Sequence, residues 1–486
     1  MRALQICESD CHGGAARAAW RLHRGLAALG HDSAMLVREK HSTDPAVFAA
    51  RLDESAAAKK QLQRVKWIEK HWIKNHRTEI SNTWFSLPAI GYDLSQNPRV
   101  LASQVLNLHW ISGLLSPPAI ALLQQLGRPI FWTLHDQRPF TGGCHYSAGC
   151  RGCEVSCAHC PQLAGDPLEL AQACLQESLH CINARKIVVI CPSRWLAACA
   201  RSSALFAGAD IQVVPNGVDP AIFRPQSKPD ARCELGLDAE AVYFLFGADN
   251  FHEKRKGFRE LSAVFRNLLA DAPFRQAVVS GKIQLLCFGD PGRNLDNFGV
   301  PVHRLGRVDD DAALARIYSA ADAFLLPSLE DNLPNTMLEA MACGTPVIGF
   351  QIGGLPDAIT PQETGLLAPP GDGARFAELL REFAGDEPGR KRMSRNCAQL
   401  IPARFSVEIQ ARRYLELYGR ALDAGPPAAA GKSDAGPSPL TPPSPAFSGI
   451  CDKLLLLAKQ ERRTARWKSL KQLFPGGTPA KKSPSH

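Results

Sequence analysis

The stretch PSLEDNLPNTMLEAMACGTPVIGFQIGG, residues 327–354, predicts the end of one strand, then a loop, a helix and a second strand. The apolar runs 323–327 and 347–350 are typical of strands that are covered on both faces of a parallel sheet. Asn335 or Thr336 can cap the helix between them. Ligands of open α/β sheets bind at the carboxyl ends of strands, and helix N-termini favour phosphate. The loop is therefore a candidate phosphate site, with an ordinary strand-to-helix turn as the alternative.

Two acids, Asp331 and Glu339, flank this loop with seven residues between them. Carboxylates beside a phosphate site suit sugar hydroxyls better than the phosphate itself. The stretch resembles the E-G-F-G-L-P-x-x-E-A-M-A-x-G-x-P-V signature of the retaining GT-B glycosyltransferases, known as group 1 or family 4. Here Asp331 replaces the first Glu, and residues 332–336 (NLPNT) replace the segment Gly-Phe-Gly-Leu-Pro. This variant resembles the subgroup that builds bacterial exopolysaccharide of the colanic-acid type.

The resemblance extends from residue 1 to about residue 422. It implies an α/β, GT-B architecture in which two Rossmann-like domains face each other across a cleft. Residues 1–220 would form the acceptor-side domain, residues 221–402 the nucleotide-sugar domain, and residues 403–422 a crossover helix. The implied reaction moves a hexosyl group from a GDP- or UDP-sugar to a hydroxyl of a glycan or lipid-linked oligosaccharide, with retention, in cell-surface polysaccharide biosynthesis. Such enzymes generally require no cofactor for catalysis.

The donor site implied by the resemblance draws on both domains. A glycine pair after the first predicted strand lets the backbone approach a ligand closely. Lys256 and the N–H groups of residues 333–336 would hold the leaving diphosphate, while Glu339 would bind ribose and Asp331 a hydroxyl of the donor sugar. The implied donor-binding residues are Gly13, Gly14, Lys256, Arg307, Asp331, Asn332, Leu333, Pro334, Asn335, Thr336 and Glu339.

One cation of the family pattern is missing from the loop that precedes Lys256. The family has an arginine a few residues after the first strand of its second domain, and here Asn250 stands near that place. Arg255 or Lys254 substitutes for it, or another residue binds the phosphate. A solvated run of charged side chains is the alternative interpretation of this loop.

Two histidines, His109 and His135, end predicted strands on the ligand side of the first sheet. A lone histidine is more often structural than functional. His135 is the better functional candidate because its position resembles that of the family's histidine beside the reacting centre. Together with Lys256 and Asp331 it forms the predicted catalytic set. No protein nucleophile is assigned, since retaining enzymes of this fold are thought to react on one face of the sugar.

Five cysteines lie within the loop 144–160, and the chain has 16 cysteines in all. Thiolates in this number can bind structural zinc, although the spacing fits common zinc modules poorly. The exopolysaccharide subgroup has a similar cluster, and the resemblance implies a structural zinc loop beside the acceptor site. Reduced thiols and a redox pair remain alternatives. The implied ligands are Cys144, Cys157 and Cys160, with Cys153 or Cys150 as the fourth.

The composition is that of a cytoplasmic globular protein that meets anions. The formal charge is +9 and the sequence pI is about 8.8. No apolar run approaches the roughly 18 residues of a membrane span, and the first residues do not resemble a signal peptide. A charge of this sign suits a nucleotide, a nucleic acid or an acidic membrane leaflet.

Two basic amphipathic segments predict a peripheral contact with an anionic membrane, at the cytoplasmic face of the inner membrane. One covers residues 55–77, and the other is a tail helix over 450–475 that follows a Pro-, Ala- and Gly-rich segment, 425–448, predicted as a disordered linker. A solvated helix packed on its own sheet is the alternative for the first segment. The tail helix can equally bind a partner or be loosely held.

Two other functions fit parts of the pattern. A GT-B nucleotide-sugar epimerase or a cytosolic sugar synthase would use the same two domains, but the basic segments and the cysteine loop favour a lipid-linked acceptor. A zinc-dependent nucleic-acid-binding protein would use the positive charge and the cysteines. Because the sequence lacks interleaved aromatic and basic residues, we expect no nucleic acid partner.

Overall fold

Two parallel β-sheets form the centres of two domains in the computed structural model, which describes residues 1–248, 250–289, 298–425 and 436–473, with side chains described as far as residue 464. In the described residues the N-terminal sheet has seven strands, in the spatial order β3-β2-β1-β4-β5-β6-β7. They are β1 (Arg2–Ser9), β2 (Asp32–Glu39), β3 (Val47–Ala49), β4 (Val105–Leu108), β5 (Ile130–Thr133), β6 (Ile187–Cys191) and β7 (Asp210–Val213).

The second sheet has six strands within the described residues, in the order β10-β9-β8-β11-β12-β13. They are β8 (Val242–Ala248), β9 (Ile283–Gly289), β10 (Val302–Gly306), β11 (Ala323–Leu326), β12 (Val347–Phe350) and β13 (Gly365–Ala368). Neighbouring strands pair in parallel in both sheets. The predicted α/β fold with two Rossmann-like domains is confirmed.

Helices cover the faces of both sheets. In the first domain they are α1 (Gly14–Ala28), α2 (Ala56–Ile68), α3 (Lys74–His76), α4 (Pro98–Ala102), α5 (Pro117–Gln125), α6 (Leu170–Cys181) and α7 (Arg194–Ser202), with a π-helical turn at Glu69–Ile73. Next come α8 (Lys228–Glu234), α9 (Phe258–Leu268), α10 (Ala272–Val279), α11 (Asp311–Ala320), α12 (Asn335–Ala342), α13 (Leu355–Ala358), α14 (Gly373–Gly385), α15 (Glu387–Arg404), α16 (Val407–Asp423) and α17 (Pro445–Leu473). Short 3₁₀ turns lie at Arg138–Phe140, Gly152–Glu154, Ala184–Lys186 and Lys254–Lys256.

The central strands are apolar because helices cover both of their faces. Every residue of β4, β5, β11 and β12 is buried. Such strands lack the polar–apolar alternation of a half-exposed strand, which is why short apolar runs identified β11 and β12 in the sequence. Two sheets built this way bring the carboxyl ends of their strands to a common cleft.

The helix α16 returns from the second domain and packs on the first. Tyr414 and Tyr418 of α16 are fully buried, and the Tyr414 hydroxyl lies 2.9 Å from the Thr133 hydroxyl at the end of β5. Gly25 of α1 allows the approach, because a Cβ there would lie 2.9 Å from the Val407 side chain. The segment predicted as a crossover helix thus joins the core of the N-terminal domain.

The described end of the predicted linker is ordered against the N-terminal domain, which corrects the prediction for residues 436–448. Ser438 donates its N–H to the Arg51 carbonyl at 2.7 Å, and its own carbonyl accepts from Asp53 at 2.9 Å. Thr441 donates to the Gly91 carbonyl at 2.8 Å. A Pro-rich composition signals disorder only when the backbone finds no neighbour to bond. Residues 426–435 lie outside the described residues.

The tail helix α17 begins at Pro445, five residues before its predicted start, and is held by the first domain. Ser444 bonds through its N–H and its hydroxyl to the buried Glu177 carboxylate of α6. Four side chains of α17 are buried in the core of the N-terminal domain, and they recur at helical spacing. They are Phe447, Cys451, Leu454 and Ala458. None of the described helices has the length and hydropathy needed to cross a bilayer.

The packing of α17 predicts that alanine substitutions of two nearby leucines change the free energy of unfolding by very different amounts. Leu454 is fully buried, whereas Leu456 is 61% exposed. We expect Leu454→Ala to lower the free energy of unfolding by about 2–4 kcal/mol, because it leaves a cavity in the core. Leu456→Ala is the matched control, expected to change it by no more than about 0.5 kcal/mol. Denaturant unfolding measures both, and equal effects would show that α17 is not part of the core.

Candidate active site

A cavity of about 500 Å³ lies between the two domains, at the carboxyl ends of the strands of both sheets. The first domain contributes the turn between β1 and α1 and the segments after β4 and β5. The second contributes the loop after β8 and the loop between β11 and α12. Crevices at this edge of parallel sheets are where α/β proteins bind their ligands.

Asp331 lies at the centre of the second domain's contribution and is bound by two cations. Its carboxylate lies 2.7 Å from Lys256 Nζ and 3.3 Å from Arg255 Nη1. Burial acts to raise the pKa of Asp331, but the charges of Lys256 and Arg255 outweigh it and bring the pKa down to about 2. Asp331 is therefore ionised at neutral pH, between two basic side chains beside the cavity.

Arg255, rather than Lys254, supplies the second cation that the sequence left open. Its guanidinium packs 4.0 Å from the centre of the Tyr146 ring and pairs with Glu253 at 2.9 Å. Burial acts to lower the pKa of Arg255, but Tyr146 and Asp331 act more strongly to raise it. The pKa of Arg255 therefore lies above its ordinary value. Lys254 instead pairs with Glu79 outside the cavity, while Asn250 contributes an uncharged side chain to the wall.

Two glycines allow these loops to come together. Gly257 has φ +67°, and a Cβ there would lie 1.7 Å from the Pro327 carbonyl oxygen at the end of β11. Gly353 has φ +53°, and a Cβ there would lie 1.7 Å from the Asp331 carbonyl oxygen. Both positions combine left-handed backbone with a contact that leaves no room for a side chain. The pairing of Lys256 with Asp331 depends on this close approach.

Asparagine side chains join the β11–α12 loop to the first domain. Asn335 donates to the Gly14 carbonyl at 2.9 Å, and Asn216 donates to the Leu333 carbonyl at 3.3 Å and to Asn335 Oδ1 at 3.2 Å. The N-cap of α12 is Pro334, so the predicted capping role of Asn335 or Thr336 is wrong. The Asn335 side chain bonds to the first domain instead of to its own helix.

Asn332 connects the same loop to the predicted catalytic histidine. Its Nδ2 donates to the His135 carbonyl at 3.2 Å, and its Oδ1 accepts from the Ser193 hydroxyl at 2.7 Å. The structure thereby brings together His135, Lys256 and Asp331 from the two domains. Of the predicted donor-binding residues, those in the cavity wall are Gly13, Gly14, Lys256, Asp331, Asn332, Leu333, Pro334, Asn335 and Thr336.

Glu339 and Arg307, two further predicted donor ligands, do not line this cavity. Glu339 is buried, with one carboxylate oxygen 2.6 Å from Arg21 of α1 and the other 3.3 Å from the Tyr318 hydroxyl. Arg307 points to solvent, with its side chain 75% exposed, and pairs with Asp309 at 2.9 Å. Motif spacing identifies the helix turn that carries Glu339. It does not show that Arg21, from the other domain, pairs with this carboxylate.

His135 is a neutral imidazole in this environment. Burial lowers its pKa to about 4, against the smaller opposing effect of Asp136. Its Nε2 lies 3.0 Å from Nδ1 of His109, which is also buried and whose pKa is lowered well below its ordinary value. A neutral ring can donate one hydrogen bond and accept another, so it can hold a sugar hydroxyl without adding charge.

Several wall residues were not predicted from the sequence. Trp84, Trp110 and His145 form an aromatic group on the first domain's side, and Asp136 and Tyr146 lie next to them. Trp84 lies in an irregular stretch without a motif, so no sequence signal identifies it. His145 and Tyr146 follow Cys144 directly, and the unusual cysteine loop was the available signal for them.

The described residues give no support to the predicted zinc site in the cysteine loop. Cys144, Cys150, Cys153, Cys157 and Cys160 line a small common pocket as free thiols. In the part of the chain that the structure describes, no three His, Cys, Asp or Glu side chains are placed to hold a metal. Burial raises the pKa of Cys153 to about 12 and that of Cys157 to about 11. The Phe85–Cys144 β-bridge instead ties this loop to the segment that carries Trp84.

The lowered pKa of His135 predicts a pH dependence of stability. Between pH 6.5 and pH 4 the unfolded chain binds a proton that the folded imidazole does not, so stability falls as the pH drops through this range. We expect His135→Asn to reduce the fall in Tm between pH 7 and pH 5. His159→Asn, which changes an exposed imidazole, is the control and leaves the fall unchanged. An unaltered pH dependence in His135→Asn would contradict the buried neutral state.

Two family profiles match the chain, one over each domain. Residues 12–222 match the profile described as Glycosyltransferase Family 4, and residues 242–386 match Glycosyl transferases group 1. The chain is 34% identical over 228 residues to a D-inositol 3-phosphate glycosyltransferase of Segniliparus rotundus. That match covers 44% of this chain and 48% of the relative, so the chain spans about half the length of the curated relatives it matches.

Solved structures share the whole two-domain arrangement. Sucrose-phosphate synthase from Thermosynechococcus elongatus aligns with a TM-score of 0.58 at 19% identity, covering 87% of this chain and all of that one. HepE of Anabaena, solved in complex with UDP-glucose, aligns with a TM-score of 0.58 at 15% identity, covering 86% of this chain and all of that one. At these identities the likeness shows the fold, which is the GT-B arrangement of two Rossmann-like domains.

Proposed function

Since the chain carries both domains of the group 1, family 4 glycosyltransferases, we propose that it transfers a hexosyl group from a nucleotide sugar to a hydroxyl acceptor. The observation that carries the proposal is the cluster of Arg255, Lys256 and Asp331 in the cleft. A GDP- or UDP-sugar has a diphosphate and a sugar ring side by side, which match the cations and the carboxylate of that cluster.

The leaving diphosphate binds Lys256 and Arg255 at the N-terminus of α12. The first N–H groups of a helix have no carbonyl partner within it, and its dipole favours negative charge there. As the bond to the sugar breaks, negative charge grows on the phosphate, and fixed cations stabilise it more than they stabilise the intact donor. When Lys256 turns to the phosphate, an oxygen of Asp331 is released for a hydroxyl of the donor sugar.

We assign His135 a supporting role at the reacting centre. As a neutral ring in the wall of the same cavity as Asp331, it holds a hydroxyl of the sugar while the acceptor approaches. Reaction on one face of the sugar, with the leaving phosphate taking the acceptor's proton, gives retention without a protein nucleophile. Asn332 supports this geometry because it links the His135 carbonyl to the loop of Asp331.

Glu339 remains the proposed ligand of the donor's ribose, but it must first part from Arg21. The two side chains are both buried and belong to different domains. Donor binding would then replace an ion pair between domains by hydrogen bonds to two hydroxyls. The buried Arg21 still has Asp311 within 3.7 Å as a second carboxylate, so its charge is not left unpaired.

The cation cluster predicts that alanine substitutions of neighbouring basic residues reduce the transfer rate to unequal extents. We expect Lys256→Ala and Arg255→Ala each to lower transfer by about a hundredfold or more, because each removes charge from the leaving phosphate. Lys254→Ala is the control: it lies in the same turn but pairs with Glu79 outside the cavity, so activity stays within about twofold. Donor consumption with UDP- and GDP-sugars measures the rates, and binding of UDP and GDP is measured by calorimetry. Full activity in Lys256→Ala would refute the assignment.

The proposed acceptor is a glycan or a lipid-linked oligosaccharide at an anionic membrane, in cell-surface polysaccharide synthesis. The supporting observation is the basic surface of α2. This helix buries Val65 and Ile68 in the core of the first domain and leaves its lysines exposed. α17 packs on the same segment, with Glu461 3.4 Å from His76. Its exposed basic side chains include Lys453, Lys459, Arg462 and Arg463.

Vesicle binding tests the membrane contact. We expect the chain to sediment with vesicles containing phosphatidylglycerol but not with pure phosphatidylcholine, and to be released by salt. Replacing exposed Lys59, Lys66 and Lys70 together by Gln should weaken binding about tenfold or more. Lys391, Arg392 and Arg395, exposed on α15 of the other domain, form the matched control triple. Equal losses in both triples would indicate that net charge alone is responsible.

A further inference from the structure

The proposed donor contacts leave unused an aromatic group on the first domain's side of the cavity. Trp84, Trp110 and His145 stand in mutual contact, with ring centres 5.7 Å apart for the two tryptophans and 5.6 Å apart for Trp110 and His145. Trp84 is 62% exposed although it lines the cavity. A tryptophan left open to water inside a cleft offers a large apolar face that a ligand can cover.

A buried carboxylate fixes two of these rings. Asp136 Oδ2 accepts from Trp110 Nε1 at 3.0 Å and from His145 Nδ1 at 2.7 Å, while its Oδ1 accepts from the Arg138 N–H at 2.9 Å. Burial acts to raise the pKa of Asp136, but these partners lower it on balance, so the carboxylate is charged and already occupied. Asp136 therefore positions the rings and is not available as a general base.

The cysteine loop holds the third ring in place. The His145 N–H donates to the Trp84 carbonyl at 3.2 Å, and Ser86 donates its N–H to the Gly143 carbonyl at 2.9 Å. The Ser86 hydroxyl also lies 2.8 Å from His145 Nε2. The segment of Trp84 is thus paired with the start of the cysteine loop like two short strands. Phe85, next to Trp84, lines the same small pocket as the loop's five cysteines.

The charged side chains of the cavity wall near these three rings are already paired. The nearby acids in the wall are Glu8 and Asp136, and both belong to the first domain. Among the described residues that line the cavity, the Lys and Arg side chains are Arg255 and Lys256. Both are already bound to Asp331 and, on the proposed function, serve the donor's diphosphate. Glu8 pairs with Arg38 at 3.5 Å and Asp136 with His145 at 2.7 Å, so a phosphomonoester on the rings would find no unpaired lysine or arginine in the described wall.

We propose that Trp84, with Trp110 and His145, forms the acceptor subsite and that the acceptor presents an uncharged sugar ring there. One face of a pyranose carries several C–H groups, which pack on an aromatic ring, while its hydroxyls point sideways to polar partners. Such stacking suits a neutral glycan end and not an inositol phosphate. The inference rests on the proposed transferase function, which supplies the donor on the opposite wall.

The test uses the full chain and saturation-transfer NMR with methyl glycosides of glucose, galactose, mannose and fucose, and with myo-inositol 3-phosphate. We expect at least one glycoside to bind through its ring protons, and Trp84→Ala to weaken that binding about tenfold. Trp84→Phe should retain most of it, because a smaller aromatic face remains. Ile80→Ala, which changes another exposed apolar residue of the same stretch, is the control and leaves binding unchanged.

Calorimetry with UDP and GDP tests the acceptor subsite separately from the transferase function. Nucleotide binding unchanged in Trp84→Ala, together with lost glycoside binding, supports the acceptor subsite. If wild type binds a nucleotide but none of the glycosides, or binds inositol phosphate independently of Trp84, the subsite is refuted while the transferase function stands. If Trp84→Ala weakens nucleotide binding instead, the rings belong to the donor site. Absence of any nucleotide binding in the wild type refutes the function itself.

Discussion

The buried carboxylate of Asp331 between Lys256 and Arg255 is the interaction on which the cleft depends. A charge taken out of water is costly unless opposite charges and hydrogen bonds replace the lost solvent. The structure provides them by bringing the loop after β8 against the end of β11, where Gly257 leaves no space for a side chain. The same contact places two cations beside the N-terminus of α12. On the proposed function, these two cations and the helix end form the site of the donor's diphosphate.

Contacts between the domains extend from this centre. Asn332, Asn335 and Asn216 use their amide groups to tie the β11–α12 loop to the turn after β1 and to the carbonyl of His135. Arg21 reaches from α1 to Glu339. The segment NLPNT, which departs from the common glycine-rich form, is therefore rich in side chains that bond across the cleft. A glycine-rich loop would lack these side-chain hydrogen bonds, so fewer contacts would join the two domains.

The cysteine loop and the C-terminal segment show how composition misleads when tertiary contacts decide. Clustered cysteines suggested a metal, but in the described chain they line one small pocket as free thiols. The Pro- and Ala-rich stretch suggested disorder, yet its described part bonds to the backbone near β3 and leads into a helix that completes the N-terminal core. In both cases the partner lies far away in the sequence, where local composition carries no information about it.

The sequence by itself determined the two α/β domains, their order, and the loop that holds Asp331, because buried parallel strands and helix ends leave local patterns. It also indicated the cation at Lys256 and the histidine at the end of β5. Only the tertiary structure decided that Arg255, and not Lys254, forms an ion pair with Asp331. It also decided that Arg21 pairs with Glu339 and that Arg307 faces solvent. It alone revealed the ring of Trp84. These outcomes depend on which side chains from distant segments meet, and pairing across a cleft follows from packing and charge in three dimensions rather than from spacing along the chain.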